Sequence, residues 1–184
     1  MTRYLALLRG INVGGRNVIR MSDLRACFEK NGFEDVATYI QSGNVLFAAA
    51  AEPVEVLTAR VEGILSEAFG YRASVVLRSR EQMHATVHRA PAGFGTEPDD
   101  YRYDVIFLKE PLSAREAIRA VDTAEGVDEV HAGDGTLYFS RLISQAGRSR
   151  LSKIVSSPIY PSVTIRNWNT TTKLLAMLDA RAPA

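Results

Sequence analysis

Two apolar rhythms alternate along this chain in a fixed order, and that order constrains its fold more than any other feature. "RYLALL" (residues 3–8) is a short strand-like run, and "MSDLRACFEKNG" then carries a helical spacing, with Ser22 placed as its N-cap and Gly32 ending it. "VATYI" and "NVLFA" are β-branched and aromatic runs joined by Gln41-Ser42-Gly43, a hairpin signal. From Pro53 to Phe69 the apolar residues Val54, Leu57, Val61, Ile64, Leu65 and Phe69 keep a 3.6 period, and "ASVVLRS" is a fourth strand. The order is β-α-β-β-α-β, which is the ferredoxin-like unit. After a short helix ("REQMHATVHRA") and a Pro-, Gly- and Asp-rich loop (residues 91–100), the order recurs. "RYDVIFLKE" is a strand, "SAREAIRAV" a helix, and "DEVHA" and "TLYFS" a hairpin through Gly133-Asp134-Gly135. "SRLSKIVSS" is a short helix, "SVTIRN" a closing strand and "NTTTKLLAMLDA" a final helix. Arg102-Tyr103 echoes Arg3-Tyr4 at the start of each unit. The expected fold is α+β: two ferredoxin-like halves with antiparallel sheets, residues 1–80 and 101–184, joined by residues 81–100, with a C-terminal helix in the second half.

Composition narrows the partners. Net charge is +1, so no global polybasic field points to nucleic acid or membrane, but the average hides a gradient. Residues 141–184 carry seven Lys or Arg against one Asp, residues 81–134 five against twelve acidic groups, and residues 1–25 five Arg against one Asp. Basic ends around an acidic middle can focus an anion if the ends meet. The single cysteine, Cys27, lies at helical spacing with Leu24 and Phe28 and is expected to be buried and unreactive. The apolar run in residues 1–10 is too short for a signal peptide, and nothing approaches the roughly 20 apolar residues of a membrane span, so the default compartment is the cytoplasm.

Three polar stretches are candidate sites. "LLRGINVGGRNV" runs a strand into a loop holding Gly10, Gly14 and Gly15 beside Arg9 and Arg16, yet it matches neither G-x-G-x-x-G nor G-x-x-x-x-G-K-[ST]. Such glycines can turn backbone N–H groups toward a phosphate or can simply supply tight turns, and the loop alone is better explained by turns. In "TIRNWNTTTKLLAML" a strand end feeds a helix N-terminus, and Arg166, Asn167, Asn169, Thr170 and Lys173 add donors. Asn169 or Thr170 is expected to cap that helix, and Trp168 is expected to be core. "GRSRLSK" is a third basic run, a solvated face if taken alone. His84 and His88 have the spacing of a zinc pair, but Ala85 stands where the general base would be and no third ligand is within reach, so no metal and no cofactor is expected. No G-x-S-x-G or S-x-x-K motif supports nucleophilic catalysis, and no RNP1 pattern is present.

"LLRGINVGGRN", "TYIQSGNVLF", "GRSRL" and "TIRNWNTTTKL" together resemble the signatures of the domain of unknown function 1697 family, over nearly the whole chain. The resemblance implies paired ferredoxin-like units and carries no reaction with it. It marks Arg9, Gly10, Asn12, Gly14, Gly15, Ser42, Gly43, Asn44, Arg148, Arg166, Asn167, Trp168, Asn169, Thr170 and Lys173 as motif positions. Arg150 stands where the family often has Lys, which keeps the charge and changes its geometry. Together with the resemblance, a phosphate-binding role for the glycine loop is preferred over turns alone. A small anionic ligand, phosphate-containing or nucleotide-like, is expected where the Gly10–Asn17 loop meets the Arg166–Lys173 junction. Arg9, Arg148, Arg166 and Lys173 would neutralise it, Asn12, Asn44, Asn167 and Asn169 would orient it, and Gly14-Gly15 would allow close approach. The alternatives are a nucleic-acid-binding module using the same basic ends and a non-catalytic interaction scaffold; no membrane partner is expected.

Overall fold

The computed structural model of the chain describes residues 1–181. The described residues divide into two compact units, one formed by Met1–Met83 with residues 174–181, the other by His84–Lys173.

The first half contains β1 (Thr2–Leu8), α1 (Met21–Lys30), β2 (Glu34–Tyr39), β3 (Asn44–Ala49), α2 (Val54–Phe69) and β4 (Val75–Ser79), followed by α3 (Arg80–His88). Its four strands form one antiparallel sheet in the order β2-β3-β1-β4. The second half contains β5 (Tyr101–Leu108), α4 (Ala114–Arg119), β6 (Asp128–Ala132), β7 (Thr136–Leu142) and β8 (Val163–Asn167), in the matching order β6-β7-β5-β8. α5 (Trp168–Ala180) closes the described chain. Both halves are ferredoxin-like.

Strand alternation sorts the side chains. In the first half Tyr4, Ala6, Leu8, Val45, Phe47, Val75 and Leu77 pack with Leu24, Phe28, Leu57, Val61 and Leu65 of α1 and α2 into one buried core. Cys27 belongs to it, and burial raises its thiol pKa above the ordinary value. α1 ends as a Schellman motif: the Gly32 and Phe33 N–H groups reach back to the Glu29 and Phe28 carbonyls, and the Phe33 ring closes on Phe28 at 5.4 Å. In the second half Ile106, Leu108, Leu137, Phe139 and Val163 form the core with Ala117, Leu151 and Ile154.

The two halves share one register. Leu8 pairs with Val75 as Leu108 pairs with Val163, and Tyr4 pairs with Phe47 and Ser79 as Asp104 pairs with Phe139 and Asn167. The Leu8 and Leu108 N–H groups donate to Gly43 and Gly135, and those of Arg9 and Lys109 to Ser74 and Ser162. In this frame Arg3 matches Tyr103, so the echo of Arg3-Tyr4 in Arg102-Tyr103 is out of step by one residue and places the two tyrosines on opposite faces.

Some element ends differ from the sequence expectation. Ser22 lies inside α1; Arg20 holds the cap position and its side chain makes no capping bond. The α5 cap is Asn167, whose Oδ1 accepts from the Thr170 N–H at 2.7 Å, rather than Asn169 or Thr170. The short helix expected over "SRLSKIVSS" is a set of 3₁₀ turns at Ile143–Arg148, Leu151–Ser156 and Tyr160–Ser162. Serines at 149, 152, 156 and 157 and prolines at 158 and 161 favour local turns over a continuous helix. The 91–100 loop is mostly exposed, but Phe94 packs edge-on against Tyr103, Tyr138 and Trp168 at 4.9, 5.3 and 5.1 Å.

Candidate functional site

β8 pairs with β5 only from Asp104 onward, because the chain leaves the sheet at Asn167 to start α5. The β5 segment Tyr101–Tyr103 therefore runs past the end of its neighbour, and a cleft of about 330 Å³ lies there. It is lined by Tyr101, Arg102, Tyr103 and Asp104 of β5, Arg141 of β7, Asn167, Trp168 and Asn169 at the strand-to-helix junction, and Gly95 and Pro98 of the preceding loop. Trp168 is half-buried rather than core. Its indole lies so close over Gly95 that an added Cβ there would sit 2.2 Å from Nε1, and Gly95 has φ +86°. Only glycine admits that contact.

The floor of the cleft carries an unusual pair. Asp104 occupies the position that Tyr4, stacked on Phe47, fills in the first half. The Asp104 carboxylate is buried, and Arg141 Nη2 lies 3.6 Å from its Oδ2, an ion pair longer than a hydrogen bond. Asp104 Oδ2 and Arg141 Nε are buried with no hydrogen-bond partner among the described residues. Burial raises the Asp104 pKa above the ordinary carboxylate value, against the opposing pull of Arg141 and Arg102. A buried, half-satisfied carboxylate with a raised pKa, beside an arginine one-third exposed in a cleft, is of the kind that occurs often at functional sites.

Of the residues expected from sequence, Asn167 and Asn169 line this cleft. Thr170 is buried at the first turn of α5, and Lys173 is exposed further along it. Arg166 points to the other face of the sheet. It is buried, its Nη1 donates to Thr164 Oγ1 and the Ile165 carbonyl at 2.9 Å each, and burial lowers its pKa to about 10, so it stays charged at neutral pH. Arg78 holds the matching position in β4, and its Nη1 likewise donates to the carbonyl of the residue before it. Arg148 is exposed, with its guanidinium on Gln145.

The Gly10–Asn17 loop is a two-stranded finger. Arg16 N–H donates to the Val13 carbonyl across Gly14-Gly15, whose φ angles of +57° and +73° meet the demand of a type I′ turn. Asn12 fastens its base: its amide donates to the Ile19 and Gln41 carbonyls, and its Oδ1 accepts from the Ile19 N–H. Asn17 donates to the Gly10 carbonyl. Asn44, fully buried, donates to the Tyr39 carbonyl and Ser42 Oγ and so closes the neighbouring hairpin. Gly10 is exposed and Arg9 half-buried beside it.

Sequence reasoning missed Asp104, Arg102, Arg141, Tyr101 and Tyr103. The available signal was an acidic residue inside the apolar strand "YDVIFL". His84 and His88 stack at 5.4 Å, and no group of three metal-ligating side chains occurs among the described residues. No described helix is long and apolar enough to cross a membrane.

The chain belongs to the DUF1697 family, proteins of unknown function, whose profile matches residues 1–138. It is similar to the solved structure of a conserved bacterial protein from Streptococcus pneumoniae, with a TM-score of 0.85 and 28% identity over 97% of this chain and 99% of that one. No curated protein matches it.

Proposed function

We propose that the protein binds a small anionic, nucleotide-like ligand in the cleft at the β8–α5 junction. The observation that carries this reading is the Asp104–Arg141 pair, held beyond hydrogen-bond distance in a cleft with aromatic walls. Arg141 and Arg102 supply charge for a phosphate, and the start of α5 adds the positive end of a helix dipole. Asn167 and Asn169 offer amides, Trp168 and Tyr101 offer ring faces for a base, and Asp104 is an acceptor for an N–H or O–H. A volume near 330 Å³ is at the small end of ligand clefts and suits a mononucleotide-sized molecule.

A thermal-unfolding screen with inorganic phosphate, nucleoside monophosphates and sugar phosphates tests this. A ligand at a hundredfold excess over its Kd should stabilise by about 2.7 kcal/mol, or roughly 5–10 °C for a chain of this size. Arg141→Ala and Asn169→Ala, each compared with its own unliganded midpoint, should lose most of that shift. If no anion in the screen raises the midpoint, or both variants respond as the wild type does, the reading is wrong.

A further inference from the structure

The second half passes from its first strand to its first helix through residues 109–113, whereas the first half uses residues 9–20 for the same passage on the same hydrogen-bond frame. The finger is therefore extra to what the fold requires. It is nonetheless stiff, because Asn12, Asn17 and the Gly14-Gly15 turn hold its backbone, and Asn12 ties it to the Ile40–Gly43 turn through the Gln41 carbonyl. On these two tied loops Val13, Val18 and Ile40 are 67, 74 and 47% exposed. Ile40 is a β-branched residue held at φ +48°, a conformation such residues rarely adopt without a reason. Arg16 and Arg20 are also exposed, and their guanidinium groups have no partner among the described residues. No Asp or Glu occurs between Met1 and Ser22.

We propose that the finger is a contact for duplex nucleic acid, with Arg16 and Arg20 on phosphates and the Val13–Val18 edge in a groove. A rigid two-stranded ribbon fits a groove, and cationic side chains beside a small apolar wedge are the means by which proteins hold a duplex without reading its sequence. The cations are all arginine, which suits phosphate and narrow grooves better than lysine. Because the finger lies outside the cleft residues, this inference stands apart from the ligand reading above.

The test is fluorescence anisotropy of a labelled duplex of about 20 base pairs, two helical turns, titrated with the full chain over a salt series. Binding should weaken with salt at a log–log slope of about 2–3, since each neutralised phosphate contributes about 0.9. Arg16→Ala/Arg20→Ala should lower the slope by about 2. Val13→Ser/Val18→Ser should weaken binding several-fold and leave the slope unchanged. Thermal midpoints equal to wild type confirm that these exposed changes leave the fold intact. The proposal is overturned if no duplex binds at low salt, if the arginine variant keeps the wild-type slope, or if phosphatidylserine vesicles are bound through the finger while the duplex is not.

Discussion

Asp104 is a carboxylate set in apolar surroundings. A carboxylate in a strand next to Val105, Ile106 and Phe107 must lose water to sit there, and the long contact to Arg141 offsets only part of that loss. Its pKa is raised, so the native state holds its proton to higher pH than the unfolded chain does. In the window above the ordinary carboxylate value the native state then binds more protons, and its contribution to stability falls as pH rises through that window, levelling off above the folded value. Urea unfolding of wild type and Asp104→Asn from about pH 4 to 8 reads this directly. The stability of wild type relative to the variant should decline with rising pH. A rising difference would show that pairing with Arg141 outweighs burial. Asp104 was hard to find in the sequence because one Asp in an apolar strand reads as an irregularity until the register places it opposite Phe139 and Asn167.

At the scale of elements, the strands and long helices are legible because their apolar periods are long and unbroken. Their ends are less so, since capping is decided by one side-chain oxygen. Asn167, Asn169 and Thr170 are all able to cap, and the strand register selects Asn167 by ending β8 there. The glycines of the signature loops were legible as turn formers but not in their separate roles. Gly15 needs only its backbone angle, for an added Cβ would meet nothing within 4 Å. Gly43 has φ +78°, and its Cβ would also lie 2.7 Å from Ile11 Cδ1 and 2.9 Å from Leu8 Cβ. Gly15→Ala should therefore cost about 1 kcal/mol, the conformational term alone. Gly43→Ala should cost more, about 2–4 kcal/mol, because overpacking of the core adds to it. Equal midpoints in denaturant for the two variants would mean that Ile11 and Leu8 give way freely.

For the whole molecule, the order of elements revealed two ferredoxin-like halves, but only the shared hydrogen-bond frame reveals which residues correspond. That frame separates what the fold needs from what each half adds: the finger in the first half, the cleft in the second. In the first half the Asp104 position holds Tyr4, stacked on Phe47 at 5.7 Å, and the Arg141 position holds Ala49. Phe139 is the counterpart of Phe47 and is fully buried. The cleft is thus a place where the second half carries a charged pair at the positions that hold Tyr4 and Ala49 in the first half. Asp104→Tyr/Arg141→Ala restores the first half's own solution. The new ring can lie against Phe139 and fill the cleft, and the half-satisfied pair is gone. Replacing a fully buried ion pair by packed side chains commonly stabilises by about 1–4 kcal/mol; Arg141 is one-third exposed, so about 1–2 kcal/mol, the lower part of that range, applies here. The double variant should be more stable in urea by about 1–2 kcal/mol and should lose any thermal shift with nucleoside monophosphates. If it is less stable than wild type, the cleft is shaped by its own packing and cannot take the first half's side chains. If it is stabilised yet still responds to the ligand, the anion binds elsewhere on the chain.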